Sequence, residues 1–130
     1  MNSEQKTLKV LVVDDDKDLL SGLKDALTRA GEQVVACATF ADGRQALKAQ
    51  RFDALLIDVR LGDFNGLQLA HIGREAQPHA RIVMFSGYDD PVLQAEAEHL
   101  GATYVVKPVG FSRILELIRE PQPARGSAAG

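Results

Sequence analysis

Polar residues that bind phosphate or metal ions follow four of the five short apolar runs in the sequence. They are, in chain order, Asp14, Asp15 and Asp16 after the first run, Asp58 after the third, Ser86 after the fourth and Lys107 after the fifth. In an open parallel sheet, ligands bind outside the carboxyl ends of the strands. If the runs are strands of one such sheet, these side chains meet at a single edge.

Several carboxylates at one edge repel one another, and either a raised pKa or a bound cation relieves the repulsion. An all-oxygen ligand set without His or Cys favours a hard ion such as Mg²⁺, with Mn²⁺ as a substitute, over zinc or copper. Because Mg²⁺ usually shares its shell with phosphate, a phosphate ligand is also predicted. Lys107 offers a point charge and Ser86 a hydroxyl to such a ligand, and a carboxylate is able to form an aspartyl phosphate.

Short apolar runs rich in β-branched residues predict five strands, and their continuous pattern predicts burial on both faces. The runs are Leu8–Val13, Gln33–Ala38, Asp53–Ile57, Arg81–Phe85 and Thr103–Val106. The second run ends without a phosphate or metal ligand, which is expected of a strand at the sheet edge.

Segments with helical spacing separate the strands. They are the stripe from Leu19 to Ala30 before Gly31, Phe40–Gln50 after Thr39, Leu67–Ala76 after Asn65-Gly66, Val92–Leu100 after Asp90-Pro91, and Phe111–Arg119. Strands alternating with helices of about three turns favour right-handed βαβ units, so the predicted fold class is α/β, a parallel sheet covered on both faces.

Composition is that of an ordinary globular domain, with 130 residues of which 45% are hydrophobic and 25% charged. A net charge of −3 offers no general attraction to nucleic acid or anionic lipid, so neither direct nucleic-acid binding nor membrane binding is expected. Cys37 is the only cysteine and is predicted to be a buried thiol. Without an apolar leader or spanning segment, a cytoplasmic location is expected.

Four sequence pieces together resemble the receiver domains of bacterial response regulators, of which the chemotaxis regulator is the single-domain example. The pieces are Leu-Val-Val-Asp-Asp-Asp at 11–16, Leu-Leu-Ile-Asp-Val-Arg-Leu-Gly-Asp-Phe-Asn-Gly at 55–66, Met-Phe-Ser-Gly-Tyr at 84–88 and Gly-Ala-Thr-Tyr-Val-Val-Lys-Pro at 101–108. Each piece is weak alone, but the four in this order and spacing are specific. The resemblance implies a receiver over residues 1–120, and 121–130 have the composition of a flexible tail or linker remnant.

Roles for individual residues also follow from the resemblance. Asp58 matches the phosphoacceptor, Lys107 and Ser86 the groups that contact the phosphoryl oxygens, and Tyr104 the aromatic switch. For the metal, the matching ligands are Asp15, Asp58, the backbone carbonyl of Arg60, and Asp14 through water. Asp16 has the weaker case for a metal-binding role, and its position is that of a helix N-cap.

The same resemblance implies a doubly wound, flavodoxin-like five-stranded sheet of order 2-1-3-4-5 and a cis Lys107–Pro108 peptide. It implies a phosphorelay function: a histidine kinase or histidine phosphotransfer protein supplies the phosphoryl group, and the surface of the fourth helix, fifth strand and fifth helix switches toward an unknown target. A homodimer formed on phosphorylation is a further hypothesis. Such a protein is not an enzyme, since it catalyses only its own phosphorylation and dephosphorylation.

Three residues near the site depart from the family pattern or vary within it. Gly62 stands where the family often has proline, which predicts a looser loop. Arg60 and Tyr88 lie two residues after Asp58 and Ser86, at positions that influence access of water to the phosphoryl group. Both are large, and this predicts slow hydrolysis of the phosphorylated form.

Alternative functions remain open at this point. A phosphatase or nucleotide enzyme lacks support, because no glycine-rich loop follows the first strand. A pseudo-receiver that acts without phosphorylation needs the fold but not the acidic residues. The chain also fits an excised receiver of a transcription factor or hybrid kinase. The three histidines, His71, His79 and His99, lack metal-ligand spacing and are predicted to be surface residues.

Overall fold

The computed structural model describes residues 6–120. Five strands form its main sheet: β1 (Lys9–Val13), β2 (Gln33–Cys37), β3 (Ala54–Asp58), β4 (Arg81–Ser86) and β5 (Thr103–Val106). Five helices connect or follow them: α1 (Lys17–Arg29), α2 (Phe40–Ala49), α3 (Gly66–Ala76), α4 (Pro91–His99) and α5 (Phe111–Arg119). The predicted tail 121–130 lies outside the described residues.

All pairings in the main sheet are parallel, and the strand order is β2-β1-β3-β4-β5. This confirms the α/β class and the 2-1-3-4-5 order. Every residue of β3 and β4 is buried, and so are the four residues of β1 from Val10 to Val13. The prediction of burial on both faces is wrong for β2 and β5, which are largely half-buried because an edge strand has a neighbour on one side only.

Alternating residues of the central strands pack into two cores, one on each face of the sheet. On one face, Val10, Val12, Leu56 and Val83 pack with buried leucines and isoleucines of α1 and α5. On the other face, the residues between them pack with α2, α3 and α4. The helices therefore cover both faces, as predicted, and leave the carboxyl edge of the sheet open for a site.

Local capping interactions begin three helices where the sequence predicted. Side chains of Asp16, Thr39 and Asp90 accept hydrogen bonds from backbone N–H groups in the first turns of α1, α2 and α4. Asp16 thus has the capping role predicted for it. Gly31 has a φ of 98° just beyond α1, as expected of a residue that ends a helix.

Gly62 lies in the two-residue turn of a short β-hairpin. Residues 60–61 pair antiparallel with 64–65, with Arg60 opposite Asn65 and Leu61 opposite Phe64. Gly62 occupies the first turn position with a φ of 61°, which suits glycine in a tight β-hairpin. We call residues 60–65 the site hairpin, because they connect Asp58 to α3.

Within residues 6–120, none of the helices combines the length and the apolar character required to cross a bilayer. Cys37 is buried, as predicted. All three histidines are exposed, which agrees with their prediction as surface residues.

Candidate functional site

Two buried carboxylates and one lysine meet at the carboxyl edge of the sheet. Asp14 is 1% exposed and Asp58 is 6% exposed. The Nζ of Lys107 lies 3.3 Å from an oxygen of each. Since Asp14 and Lys107 are 93 positions apart, only the parallel arrangement of β1, β3 and β5 brings these charges together.

Asp15 completes an acidic cluster that fits a hard cation. Ligand oxygens of Asp14, Asp15 and Asp58 all lie within 4.8 Å of one another, and this is the one such group of potential metal ligands in the described part of the chain. Asp14 is held by a hydrogen bond from the Asp16 N–H (2.9 Å), and Asp15 by one from the Gly62 N–H (3.0 Å). Three carboxylates without nitrogen or sulfur ligands suit Mg²⁺ or Mn²⁺.

Burial and neighbouring charge perturb the ionisation of this cluster. Burial, reinforced by Asp14 and Asp15, raises the pKa of Asp58 to about 6, although Lys107 acts in the opposite direction. For Lys107, burial favours the neutral form, but Asp14 and Asp58 outweigh it and raise the pKa. Lys107 is therefore charged and Asp58 largely ionised at neutral pH.

Ser86 and the two tyrosines surround the same edge of the sheet. The Oγ of buried Ser86 accepts a hydrogen bond from the Tyr88 N–H (3.1 Å). The hydroxyl of Tyr104 donates to the backbone carbonyl of Tyr88 (2.7 Å). Tyr104 is half-buried against the core formed with α2, α3 and α4, so the ring is partly enclosed while its hydroxyl holds the loop before α4.

Arg60 and Tyr88 form a pair beside the acidic residues. The Arg60 guanidinium lies 5.6 Å from the centre of the Tyr88 ring, which is a cation–π contact. Both residues line an open cavity of about 340 Å³ that also includes Asp58, Ser86 and Lys107. A phosphoryl-sized ligand at Asp58 would therefore have the pair as one of its walls.

Backbone geometry holds Asp58 against the start of α3. The Val59 N–H donates to the Phe85 carbonyl (2.8 Å), and the Gly66 N–H donates to the Val59 carbonyl (2.5 Å). A Cβ atom at Gly66 would lie 1.9 Å from the carbonyl oxygen of Asp58, so this contact requires glycine. Beyond β5, the Lys107–Pro108 peptide is cis, as the family resemblance implied.

The candidate residues that the structure brings together at this edge are Asp14, Asp15, Asp58, Arg60, Ser86, Tyr88 and Lys107. Tyr104 lies within β5 and reaches the edge through its hydroxyl. The structure also adds one group that the sequence analysis missed. The missed group is the Gly62 N–H, the hydrogen-bond donor to Asp15. A signal was present, because Gly-Asp between Leu61 and Phe64 is typical of a two-residue hairpin turn.

A comparison with protein families matches residues 10–119 to the response regulator receiver domain. The chain therefore belongs to that family. It is 31% identical over 116 residues to the chemotaxis protein CheY of Thermotoga maritima, covering 86% of this chain and 95% of the relative. It is 36% identical over 106 residues to the photosynthetic apparatus regulatory protein RegA of Rhodobacter capsulatus, covering 81% of this chain and 58% of the relative.

Solved receiver structures share the fold. A CheY-like receiver from Methanospirillum hungatei superimposes with a TM-score of 0.81 at 28% identity, over 85% of this chain and 90% of that one. A Burkholderia pseudomallei response regulator, described with a phosphorylated aspartic acid, a calcium ion and citrate, also gives 0.81 at 28% identity, over 85% and 66% of the two chains. The chain spans about half the length of the first curated relatives it matches.

Membership of this family sets the class of the protein. It is a receiver domain of two-component signal transduction, with an acidic cluster at the phosphorylation site, and it is not a conventional enzyme. Receiver domains bind Mg²⁺ in an acidic pocket and interact with histidine kinases and downstream targets.

Proposed function

We propose that this protein accepts a phosphoryl group on Asp58 from a phosphohistidine of a histidine kinase or histidine phosphotransfer protein. The observation that carries the proposal is the placement of Lys107 Nζ, 3.3 Å from Asp58 and 3.3 Å from Asp14. A lysine cation this close to a carboxylate can compensate the negative charge of a phosphoryl group that arrives there.

The transfer requires the chain's residues to act in three ways. A carboxylate oxygen of Asp58 attacks the phosphorus, forming an O–P bond while the N–P bond breaks and the imidazole nitrogen keeps the electron pair. Lys107 is placed to compensate the charge on the transferred oxygens. Ser86 is placed to donate its hydroxyl to one of them once it turns from the Tyr88 N–H.

The residues that would hold a divalent cation are Asp15, Asp58, the backbone carbonyl of Arg60 and, through water, Asp14. When bound, Mg²⁺ or Mn²⁺ supplies positive charge that reduces repulsion between the carboxylates and the incoming phosphoryl oxygens. The all-oxygen set of the cluster is consistent with either ion.

The proposed output is a change in the surface of α4, β5 and α5. Movement of Ser86 toward the phosphoryl group alters the space next to Tyr104, whose hydroxyl is bonded to the Tyr88 carbonyl. Tyr104 and the loop before α4 would then reorient, and a target protein or a second copy of the chain would bind the altered surface.

Incubation with Mg²⁺ and phosphoramidate, followed by intact-mass measurement, tests the proposal. We expect one phosphoryl gain in the wild type and none in Asp58→Asn or with a chelator. Asp63→Asn serves as the matched control, because Asp63 is an exposed acid on the site hairpin and should leave the gain unchanged. A folded wild type that gains no phosphoryl group would instead favour a module that acts without phosphorylation.

Slow hydrolysis of the phosphorylated form is a separate part of the proposal. The Arg60–Tyr88 pair lines the cavity at Asp58, so it obstructs water that approaches the phosphorus in line. Arg60→Asn combined with Tyr88→Ala should shorten the half-life of the phosphorylated protein severalfold, measured by the decay of the intact-mass peak. An unchanged half-life would contradict this role.

The kind of protein in which this receiver domain occurs is a further part of the proposal. Relatives such as RegA are longer than the stretch they share with this chain, so both a stand-alone receiver and the receiver of a transcription factor or hybrid kinase remain candidate contexts. We propose residues 1–120 as the receiver domain. A cytoplasmic location accompanies the proposal, because the expected phosphohistidine donors act there.

A further inference from the structure

The Gly62 N–H contacts the acidic cluster and has no role in the phosphoryl transfer proposed above. Its hydrogen bond to Asp15 Oδ2, at 3.0 Å, joins residues 47 positions apart. Within residues 6–120 it is the one hydrogen bond that the Asp15 side chain receives, whereas Asp14 is held by both the Asp16 N–H and Lys107. The orientation of Asp15 therefore depends on the site hairpin.

The site hairpin is built to present this N–H. Its two short strands pair on both sides of the turn, and Gly62 has a φ of 61°. Residues with a Cβ rarely adopt that conformation, and proline, with its φ near −65° and no N–H, is unable to supply the bond. The glycine thus provides both the turn and the donor.

An aromatic contact braces the hairpin from outside the site. The rings of Phe64 and Phe40 stack with centres 4.8 Å apart and planes at 17°. Phe40 is the first residue of α2, so the stack connects the hairpin to a helix that is packed on the sheet. Phe64 is nevertheless 54% exposed, which indicates that the stack, rather than burial, accounts for its position.

We infer that Gly62, held in the hairpin braced by Phe40 and Phe64, is a positioning residue that orients Asp15 for a divalent cation. A carboxylate has lone pairs to accept the Gly62 N–H and still coordinate a metal ion. An exposed aspartate that is already oriented loses less rotational freedom when the ion binds. The inference rests on the proposed function, since it concerns the cation used in that reaction.

Titration of the metal-free protein with MgCl₂, followed by amide NMR shifts, tests this role without a phosphoryl donor. Gly62→Pro removes the N–H and should weaken Mg²⁺ binding by about tenfold. A loss of metal affinity of that size is usual when a group that orients a metal ligand is removed. Gly62→Ala keeps the N–H in a strained turn and should weaken binding less. Phe64→Leu should have a smaller effect in the same direction.

Gly31→Ala is the matched control, because Gly31 also has a positive φ in an open turn but lies beyond the far end of α1. It should leave the Mg²⁺ affinity unchanged. A second readout uses Asp15→Asn: the Gly62 amide proton resonance should move in the absence of metal, and Gly62→Pro should cause no further loss of affinity in that background.

The possible outcomes separate this inference from the proposed function. If the wild type binds Mg²⁺ in an Asp15-dependent manner and folded Gly62→Pro binds equally well, the positioning role is overturned while phosphorylation on Asp58 stands. If Gly62→Pro is unfolded, unchanged affinity in both Gly62→Ala and Phe64→Leu overturns the role. If the wild type shows no Asp15-dependent binding, the positioning role fails, and the intact-mass measurement with phosphoramidate decides separately whether Asp58 accepts a phosphoryl group.

Discussion

At the scale of single residues, the ionised carboxylate of Asp58, the proposed phosphoacceptor, has a cost in stability. Its carboxylate is buried beside two other acids, and its pKa is raised to about 6 from an ordinary value of 3.8. The folded protein therefore holds the Asp58 proton more tightly than the unfolded chain does. As a result, ionisation of Asp58 lowers the free energy of unfolding as the pH rises from about 4 to about 6, and the loss is complete above that range.

Removing the charge should stabilise the metal-free protein. Asp58→Asn is expected to raise the free energy of unfolding at pH 7 by up to about 3 kcal/mol, and the gain should disappear below pH 4. Urea unfolding in the presence of a chelator, repeated across this range, measures the effect. Exposed Asp63→Asn should stay within about 0.5 kcal/mol of the wild type. A destabilised Asp58→Asn at pH 7 would show that the ion pair with Lys107 outweighs burial.

Gly66 is the residue whose lack of a side chain most directly shapes the site. A Cβ there would overlap the Asp58 carbonyl oxygen, so Gly66→Ala must displace either β3 or the start of α3. We expect a loss of about 2 kcal/mol or more in unfolding free energy, together with slower phosphorylation by phosphoramidate. Gly22→Ala, in the interior of α1 with open space around it, should be neutral or stabilising by up to about 1 kcal/mol. Equal effects at the two glycines would contradict this explanation.

At the scale of elements, the C-terminal half of α5 is attached to the sheet by two arginines. Arg81 Nε donates to the Leu117 carbonyl at 2.8 Å, and the guanidinium of Arg119 donates twice to buried Glu32, at 2.7 and 3.1 Å. Glu32 in turn accepts from the Leu8 N–H. These bonds hold one end of α5 at the edge of the sheet opposite the site.

Loss of the Arg119 contact should be costly, because it leaves a buried carboxylate without its cation. Arg119→Ala is expected to lower the free energy of unfolding by about 1–3 kcal/mol. Arg113→Ala is a control on the same helix, since Arg113 pairs with Glu116 where both side chains are more than half exposed, and it should cost less than about 1 kcal/mol. Similar values for the two variants would exclude a special role for the buried pair.

At the scale of the whole molecule, a cation bound to the acidic cluster should stabilise the fold. Since Asp14 and Asp15 directly follow β1 and Asp58 ends β3, the acidic cluster exists only when these strands are paired. At ten times the dissociation constant, Mg²⁺ should add about 1.4 kcal/mol to the unfolding free energy. Thermal unfolding with and without MgCl₂ measures the gain. Asp15→Asn should reduce it, and an equal gain in that variant would indicate binding elsewhere.

Much of the architecture was predictable because it follows from local patterns. Apolar runs indicated five strands, and capping residues such as Asp16, Thr39 and Asp90 indicated where helices begin. Each of these signals acts over a few residues. The edge position of β2 was also predicted, from the absence of ligands at its end. The burial of the edge strands was overestimated, because an apolar run does not indicate how many neighbours a strand has.

By itself, the sequence determined which residue types close each strand, and therefore the chemistry available at the carboxyl edge. Only the tertiary structure decided how these residues are oriented: Lys107 is shared between Asp14 and Asp58, the Gly62 N–H holds Asp15, and the Tyr104 hydroxyl holds the Tyr88 carbonyl. The residue types at the end of a strand follow directly from a few adjacent positions in the sequence. The orienting contacts join residues 16 to 93 positions apart, so their distances depend on how the strands and the site hairpin pack in space.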